Sequence, residues 1–170
     1  MPCSVTLSTY TIGDCFSSKG GIKALYIANY VENAISETTS GETISSFVSG
    51  ITWYKQELRK NTGSMTSTLS VDEGNGSNLV QTDVVVEYTK MQKESRIQMN
   101  ALAIGDLMAV VVDANGNYYF LGEEEAVKST AGTGETGTNR TDKNAYTATL
   151  SDYNSHYPKM LDDSAIAQLG

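Results

Sequence analysis

Apolar and polar residues alternate most clearly between residues 51 and 91, and this alternation predicts a long β-hairpin. From residue 80 to residue 88 the even positions are mostly apolar and the odd positions mostly polar, which is the pattern of a strand with one buried face. A weaker alternation runs from residue 64 to residue 72, and the intervening segment 73–78 is rich in the turn formers Gly and Asn. The sequence therefore predicts two long antiparallel strands, each with one apolar and one polar face.

The two faces of this hairpin differ sharply in chemistry. We expect the apolar face to point into the core; it consists of Met65, Leu69, Val71, Val80, Val84, Val86 and Tyr88. The opposite face carries hydroxyl, amide and carboxylate groups; it consists of Thr66, Thr68, Ser70, Gln81, Asp83 and Glu87. One face of an antiparallel sheet often faces only solvent. The function of the chain therefore depends on what this polar face contacts.

Two further strands are predicted before the hairpin. Residues 21–30 are apolar on both faces, so we expect this strand to be covered on both sides. Residues 51–59 form a second predicted strand, which places Trp53 and Tyr54 on opposite faces. Two interpretations of this pair stay open. Either Trp53 belongs to the core and Tyr54 to its rim, or the two aromatic side chains mark a partner surface.

After the hairpin the hydrophobic period changes from two to about 3.6. Ile97, Ala101 and Ile104 follow one another at helical spacing, which predicts an amphipathic helix over residues 93–104 with this apolar stripe facing the protein. Gly105 occupies the position of a left-handed helix cap. A single helix of this kind in a β protein typically closes an open end or face of the sheets.

The C-terminal third returns to strand patterns. Strands are predicted over residues 107–112, 118–121 and 146–150. The first two are joined across Asn115-Gly116, a strong hairpin signal. The segment 129–143 is rich in Gly and Thr and is predicted to be a loop. These elements together predict a mainly β fold, a β-sandwich or partial barrel with one flanking α-helix.

Length and composition indicate a single domain over residues 1–170, with an N-terminal arm 1–19 and a C-terminal tail 160–170, of which residues 162–170 are expected to be polar with one helical turn. Twelve basic against 20 acidic residues give a net charge of −8, which argues against a protein that grips nucleic acid through its phosphates. We expect Cys3 and Cys15 to be reduced thiols. No signal sequence or long apolar run is present, so we expect synthesis in the cytoplasm and no membrane partner.

Two stretches resemble binding motifs without their structural context. Residues 132–137 read G-x-G-x-x-G, but no helix is predicted after them to receive a pyrophosphate, so we interpret them as part of a flexible loop. Positions 1, 3, 5 and 12 of a calcium loop are matched by Asp113, Asn115, Asn117 and Glu124. Tyr118 stands where that loop needs Gly, and strands flank it instead of helices, so a hairpin turn is favoured.

Catalytic chemistry finds little support in the sequence. His156 is the only histidine and sits in a turn that ends at Pro158, so we interpret it as a solvated surface residue. No nucleophile elbow is present, and the acidic run 123–125 consists of adjacent residues that point to different faces. The sequence predicts no enzyme activity, no cofactor and no metal.

A family resemblance is carried by the order of five segments between Gly20 and about Tyr157. They read ITWYKQELRKNTGSMTSTL, LVQTDVVVEYTKM, ESRIQMNALAIGDLMAVVVD, NGNYYFLG and GTGETGTNRTDKNAYTATL. This succession resembles the tail tube proteins of bacteriophages, which are related to the inner tubes of contractile injection systems. The resemblance implies a tail-tube-like fold whose subunits close into hexameric rings, with one sheet of each subunit joining a continuous barrel. The rings stack head to tail, and DNA passes through the lumen during ejection.

The resemblance also assigns roles to residues of this chain. In a tube, the polar face of the hairpin lines the lumen, and its hydroxyl and carboxylate groups let DNA slide without sticking. Candidate contacts within and between rings are Asn61, Thr62, Gly63, Gly132, Gly134, Gly137, Trp53 and Tyr54, together with the N-terminal arm. The implied partners are further copies of the chain, tape-measure and terminator or neck proteins, and genomic DNA that passes without specific binding. The implied location is the virion tail, assembled in the bacterial cytoplasm.

Two alternatives stay open beside a phage tail tube. One is an inner tube, ring or terminator protein of a contractile or type VI-like device. The other is a monomeric β-sandwich that binds glycans through aromatic side chains, for which the candidates are Trp53, Tyr54, Tyr118 and Tyr119.

Overall fold

A computed structural model describes residue 5, residues 7–12 and residues 17–170. Over these residues the chain forms two β-sheets and two short α-helices, so the predicted mainly β class with a flanking helix is confirmed. The strands are β1 Ile22–Asn29, β2 Ile35–Thr39, β3 Thr43–Phe47, β4 Tyr54–Glu57, β5 Ser64–Asp72, β6 Ser77–Thr89, β7 Leu107–Asp113, β8 Tyr118–Leu121, β9 Lys128–Glu135, β10 Ala145–Asn154 and β11 Met160–Leu161. The helices are α1 Lys93–Ile104 and α2 Asp163–Ile166, and a 3-10 turn follows over Ala167–Leu169.

The larger sheet has seven strands in the order β2-β3-β11-β8-β7-β1-β4 and is covered on both faces. β1 and β7, which pair with each other in this sheet, contribute alternate side chains to two separate hydrophobic clusters. Leu25 and Val111 point toward the second sheet, whereas Ala28 and Val110 point to the opposite side. The predicted two-sided burial of the first strand is confirmed.

The far side of the larger sheet is closed by the C-terminus of the chain. Ala165 and Leu169 are buried there against Ile44, Phe47 and Phe120. The helical turn predicted within residues 162–170 is present as α2, but the prediction that this segment is a polar tail is wrong. The error arises because the apolar residues of this short segment are too few to form a recognisable period.

The smaller sheet has four strands in the order β5-β6-β10-β9, and every neighbouring pair is antiparallel. Val84, Val86, Ala148 and Leu150 point from it into the core shared with the larger sheet. The opposite face of this sheet is not covered by any described part of the chain. β10 extends beyond its predicted end. The loop predicted over residues 129–143 is wrong for residues 129–135, which belong to β9, and is confirmed for residues 136–143.

Helix α1 begins and ends at the predicted residues, but the predicted buried face is wrong. Ser95 and Leu102 are buried, Met99 packs against the core, and the stripe of Ile97, Ala101 and Ile104 is exposed. Gly105 has a φ of −80°, so it is not the left-handed cap that was predicted. The helix turns Met99 inward because it lies against β9, where Gly132 leaves room for a long side chain.

The hairpin of β5 and β6 is longer than the sandwich beneath it. Val80 and Val84 are buried as predicted, and Met65 packs against the core. Leu69 and Val71 lie on the same face but are 44% and 62% exposed, so their predicted burial is wrong. Both residues lie on the edge strand β5, where Leu69 is opposite Val80 at the level at which β10 ends, and Val71 projects past that level.

The N-terminal arm is described only in part. Residues 7–12 and 17–19 are exposed and have no regular secondary structure. Cys3 and Cys15 lie outside the described residues, and so does the prediction about their redox state.

Candidate functional site

The candidate site is the polar face of the four-stranded sheet, and strand register brings its predicted members together. In an antiparallel pair, residues directly opposite each other point to the same face. Thr66 lies opposite Asp83, and Thr68 lies opposite Gln81. Ser70 and Glu87 share this face because they are an even number of residues away from these positions. The prediction that all six side chains lie on one face, away from the core, is confirmed.

β10 and β9 widen this face beyond the hairpin. Further members are Thr147, Thr149, Ser151 and Tyr153 on β10 and Thr133 and Glu135 on β9. We call the whole surface, from β5 to β9, the polar face. The β10 residues were not named from the sequence, although Thr147, Thr149 and Ser151 alternate with Ala148 and Leu150 in a period of two. This alternation predicts a strand with one polar face, whereas only the strand, and not its faces, is predicted from the sequence above.

A hydrogen-bond network fixes the centre of the polar face. The Ser151 hydroxyl donates to the Asp83 carboxylate at 2.5 Å and contacts the Thr130 hydroxyl at 3.0 Å. The Gln81 side-chain amide donates to both carboxylate oxygens of Asp83 at 3.1 Å. Because these bonds link β6, β10 and β9, the carboxylate is held in place at the surface of the sheet.

A lysine bridges two of the acidic groups near the other end of the polar face. Lys143 Nζ lies 2.8 Å from the Glu87 carboxylate and 3.3 Å from that of Glu135. The hydrogen bond to Glu87 raises the pKa of Lys143 above its ordinary value. Glu87 is therefore neutralised locally, whereas Asp83 has no ion-pair partner among the described residues.

The polar face carries a small excess of negative charge. Its carboxylates are Asp72, Asp83, Glu87 and Glu135, and its basic residues are Lys128 and Lys143. Lys128 pairs with Asp106 outside the sheet. Both basic residues of this surface are paired with carboxylates. A polyanion such as nucleic acid would therefore be attracted to it only weakly.

No family model, curated protein or solved structure matches this chain. Within the described residues, no helix is long and apolar enough to cross a membrane. The same residues contain no group of three or more His, Cys, Asp or Glu side chains placed to hold a metal ion.

The predicted interface residues fall into several environments. Asn61 lies in a turn with a positive φ of 63°, and Thr62 closes that turn by donating to the Arg59 carbonyl at 2.6 Å. A side chain at Gly63 would meet Ile22 at 2.5 Å, so this glycine is required for packing inside the subunit. Of these three residues, only Asn61 is exposed and therefore accessible to a neighbouring subunit.

Packing and backbone conformation within the subunit also explain why glycine stands at the three positions of the G-x-G-x-x-G stretch. Gly132 and Gly134 are residues of β9, and a side chain at either would meet Met99 at 3.0 Å or the Tyr146 ring at 2.7 Å. Gly137 lies in a turn with a positive φ of 69°, and Asp142 occupies the space of its missing Cβ. Their interpretation as a flexible loop is wrong at Gly132 and Gly134, since β10 pairs with them in regular register.

Trp53 and Tyr54 lie in different environments, as in the interpretation that assigned Trp53 to the core and Tyr54 to its rim. Trp53 packs against Phe47 with ring centroids 5.3 Å apart, and it belongs to the second core cluster. Tyr54 begins the edge strand β4 and is 60% exposed. Tyr118 packs in the same cluster as Trp53, whereas Tyr119 packs on the opposite side of the larger sheet. These four aromatic side chains therefore form no shared exposed surface.

The remaining candidate chemistry is accounted for by local structure. Asp113 accepts backbone hydrogen bonds from Asn115 at 2.8 Å and Asn117 at 2.9 Å, which confirms the hairpin turn. His156 lies at the surface with its side chain 36% exposed, and its Nε2 is 3.3 Å from the Glu123 carboxylate. Lys159 binds the same carboxylate at 2.6 Å.

Proposed function

We propose that this chain is the structural subunit of a phage tail tube, which assembles into stacked hexameric rings around a lumen that conducts DNA. The observation that carries the proposal is the one-sided four-stranded sheet. One face is packed on the core, and the other is a broad surface of hydroxyl, amide and carboxylate groups with no cover from the described chain. The hexameric number comes from the family resemblance.

The two edges of this sheet support closure into a ring. β5 and β9 are its outermost strands, and they pair on one side only. Exposed edges of this length invite pairing with another chain, and closure into a barrel removes them. Since neighbours in the sheet alternate in direction, β5 and β9 run antiparallel to each other. Joining β9 of one copy to β5 of the next by rotation about an axis therefore continues the same alternation around the whole ring.

The chemistry of the polar face supports a role as the lumen wall. Thr66, Thr68 and Ser70 form a row of hydroxyls along β5, and Asp83 repels phosphate. A basic lumen would bind the DNA backbone and slow its passage, whereas this surface offers only weak contacts. The partners implied by the proposal are copies of the chain, tape-measure and terminator or neck proteins, and DNA in transit.

An inner tube, ring or terminator protein of a contractile or type VI-like device would use the same surfaces. The length of the assemblies separates these cases, since a terminator stops at one ring whereas a tube subunit polymerises. A glycan-binding monomer is less well supported, because Trp53 and Tyr118 are used in internal packing.

Negative-stain microscopy of the purified protein tests the proposal directly. Six-fold rings or tubes are expected as protein concentration rises. A strictly monodisperse monomer at high concentration contradicts the proposal and favours the binding module.

Cross-linking tests the edge-to-edge contact itself. In a Cys3→Ser, Cys15→Ser background, one cysteine is placed on each edge by Thr68→Cys and Thr133→Cys, and a flexible bismaleimide is added. The double variant is expected to give a ladder of covalent oligomers that ends at the hexamer. Each single variant is the matched control and should give at most a dimer. A double variant that also stops at dimer contradicts joining of β5 to β9.

A further inference from the structure

Helix α1 displays an apolar stripe that no described residue covers. Ile97 is 48% exposed and Ile104 is 87% exposed, with the small side chain of Ala101 between them. The buried residues Ser95 and Leu102 lie on the opposite side of the helix, since successive residues are rotated by about 100°. The stripe therefore points directly away from the core of its own subunit. Two exposed isoleucines at helical spacing are typical of a helix that packs against a partner.

The tip of the β5–β6 hairpin displays a second uncovered apolar patch. Leu69 and Val71 lie on the core-side face of the edge strand β5, Leu69 level with the last residue of β10 and Val71 beyond it, and both remain exposed. We call the segment 69–79 the hairpin tip. Its turn is well formed, because the Asp72 carboxylate accepts from the backbone of Gly74 at 2.9 Å and of Asn75 at 3.2 Å. A structured tip can therefore present these side chains to a partner without a large ordering cost.

The two patches carry opposite charge. The hairpin tip contains Asp72 and Glu73 and no basic residue. The segment 90–96, at the start of α1, contains three basic residues and one acidic residue; they are Lys90, Lys93, Arg96 and Glu94. Lys93 lies one turn before Ile97 on the same side of the helix, so it extends the apolar stripe with a positive end. In a chain with a net charge of −8, this local positive group is a specific match for an acidic tip.

The two patches also lie at opposite ends of one strand. β6 starts at the hairpin tip with Ser77 and ends at Thr89, and α1 begins at Lys93 shortly after it. Thirteen residues of strand span roughly 40 Å, which is too far for the tip to reach the helix of its own subunit. Complementary patches at opposite ends of a subunit generate a head-to-tail contact, and such contacts produce open filaments.

We propose that the hairpin tip of one copy docks on the exposed stripe of α1 in a copy of the adjacent ring. Leu69 and Val71 pack against Ile97, Ala101 and Ile104, and Glu73 pairs with Lys93. This inference rests on the proposed function, since it assigns the surface by which one ring stacks on the next. The contact is separate from the β5–β9 edges, which join copies within a ring.

Aspartate substitutions separate stacking from ring formation. Ile97→Asp places a charge in the middle of the stripe, and Leu69→Asp with Val71→Asp does the same at the tip. Both variants are expected to form rings by negative-stain microscopy and to lose tubes. Gln98→Asp, on the flank of the same helix, is the matched control and should keep tubes. All these residues are exposed, so the fold itself is expected to survive.

Mixing the two stacking variants gives a sharper result. Preformed Ile97→Asp rings keep an intact hairpin tip, and preformed rings of the tip variant keep an intact stripe. Neither polymerises alone, but a mixture is expected to form stacks of two rings and no longer assemblies. Mixed samples that remain single rings contradict the pairing of these two surfaces.

Charge reversal tests the polar part of the contact. Lys93→Glu alone and Glu73→Lys alone are each expected to shorten tubes, and the combined variant should restore wild-type length. No rescue in the combined variant, with both single variants impaired, overturns the pairing of Glu73 with Lys93.

The remaining outcomes distinguish an error in the stacking surface from an error in the proposed function. Tubes that survive both aspartate variants overturn this inference and leave the proposed function standing. If removal of residues 1–12 then abolishes tubes, the N-terminal arm is the stacking element instead. Failure of the wild-type protein to form rings contradicts the proposed function, and it does so before any of these variants is compared.

Discussion

Ser151 and Asp83 face each other across the junction of β10 and β6, and the serine hydroxyl donates to the carboxylate at 2.5 Å. Ser151 is almost fully buried despite lying on the polar face, because Thr130 and Asp83 enclose it. The negative charge of Asp83 is therefore a fixed feature of this surface. Its position in the middle of the sheet makes it the best single probe of whether the polar face lines a lumen.

Asp83→Lys is expected to leave tube assembly largely intact and to slow DNA ejection from virions that carry it. A lysine at this position recurs once per subunit around the ring and along the tube, so it offers the passing DNA many cation contacts. The delay should shrink as salt concentration rises, because phosphate contacts release counterions. Ejection is followed with a fluorescent DNA dye after the virions are triggered in vitro.

Asp83→Asn is the matched control, since it removes the negative charge without adding a positive one and retains a hydrogen-bond acceptor for Ser151. Ejection by Asp83→Lys virions at the wild-type rate would place the polar face elsewhere than the lumen. Glu87 is a poorer site for the same substitution, because it already binds Lys143 and a lysine there would face that cation.

Gly134→Ala is expected to destabilise the subunit by about 1–3 kcal/mol, the usual range for overpacking. An added Cβ would stand 2.7 Å from the Tyr146 ring, which has little freedom to move. Gly132→Ala should cost less, because its Cβ would meet only the flexible end of Met99. The free energy of unfolding is measured by urea titration with circular dichroism.

Gly20→Ala is the control for this comparison, since nothing lies within 4 Å of the position and its φ is not positive. Equal stability of all three variants would mean that β9 does not pack as the structure shows. It would also mean that the segment 129–143 forms a loop, as the sequence predicts.

Trp53→Ala is expected to lower the free energy of unfolding by about 2–4 kcal/mol, because it removes a large side chain packed against Phe47. Tyr54→Ala should change stability by no more than about 0.5 kcal/mol, as is usual for an exposed side chain. Urea titration of both variants checks this difference. A loss of assembly in Tyr54→Ala without a loss of stability would identify Tyr54 as an interface residue, and a large loss of stability there would contradict its exposed position.

Helix α1 shows both what the sequence could predict and what it could not. A hydrophobic period predicts that a helix forms and where it ends, and both bounds were correct. It does not predict which side the rest of the protein will cover. The inward side is set by Met99 against Gly132 on a strand about 30 residues further along the chain.

The polar face was predictable for a different reason. In a strand, alternation separates the two faces without reference to any distant residue, so Thr66 and Asp83 were assigned correctly. Burial along the hairpin was not predictable, because it depends on the edge position of β5 and on where β10 ends along β6. Leu69 is therefore on the predicted face but exposed. β9 was missed because Gly and Thr give a weak local signal, and its pairing with β10 supplies the missing stability.

The buried carboxyl of Asp152 makes subunit stability depend on pH. Asp152 is 1% exposed on the core side of β10, where it accepts from the Gly122 backbone at 3.2 Å and the Asn154 amide at 2.6 Å. Burial raises the pKa of Asp152 to about 7, whereas an unfolded chain has a carboxyl pKa of about 3.9. The folded state therefore binds the proton more tightly. The penalty for the charged form is fully present above about pH 7 and disappears below about pH 4.

Stability of the unassembled subunit should consequently rise as pH falls from 8 to 5, by at most about 1.4 kcal/mol per pH unit from this group. Asp152→Asn retains an acceptor for the Gly122 amide and cannot ionise, so it should flatten this dependence. The measurement is the free energy of unfolding by urea titration at pH 5, 6, 7 and 8 in both proteins. The neighbouring titratable groups His156 and Glu124 are present in both proteins, so the difference between the two slopes reports on Asp152. Identical slopes would mean that the Asp152 carboxyl titrates at its ordinary pKa and is open to water, contrary to its position between the sheets.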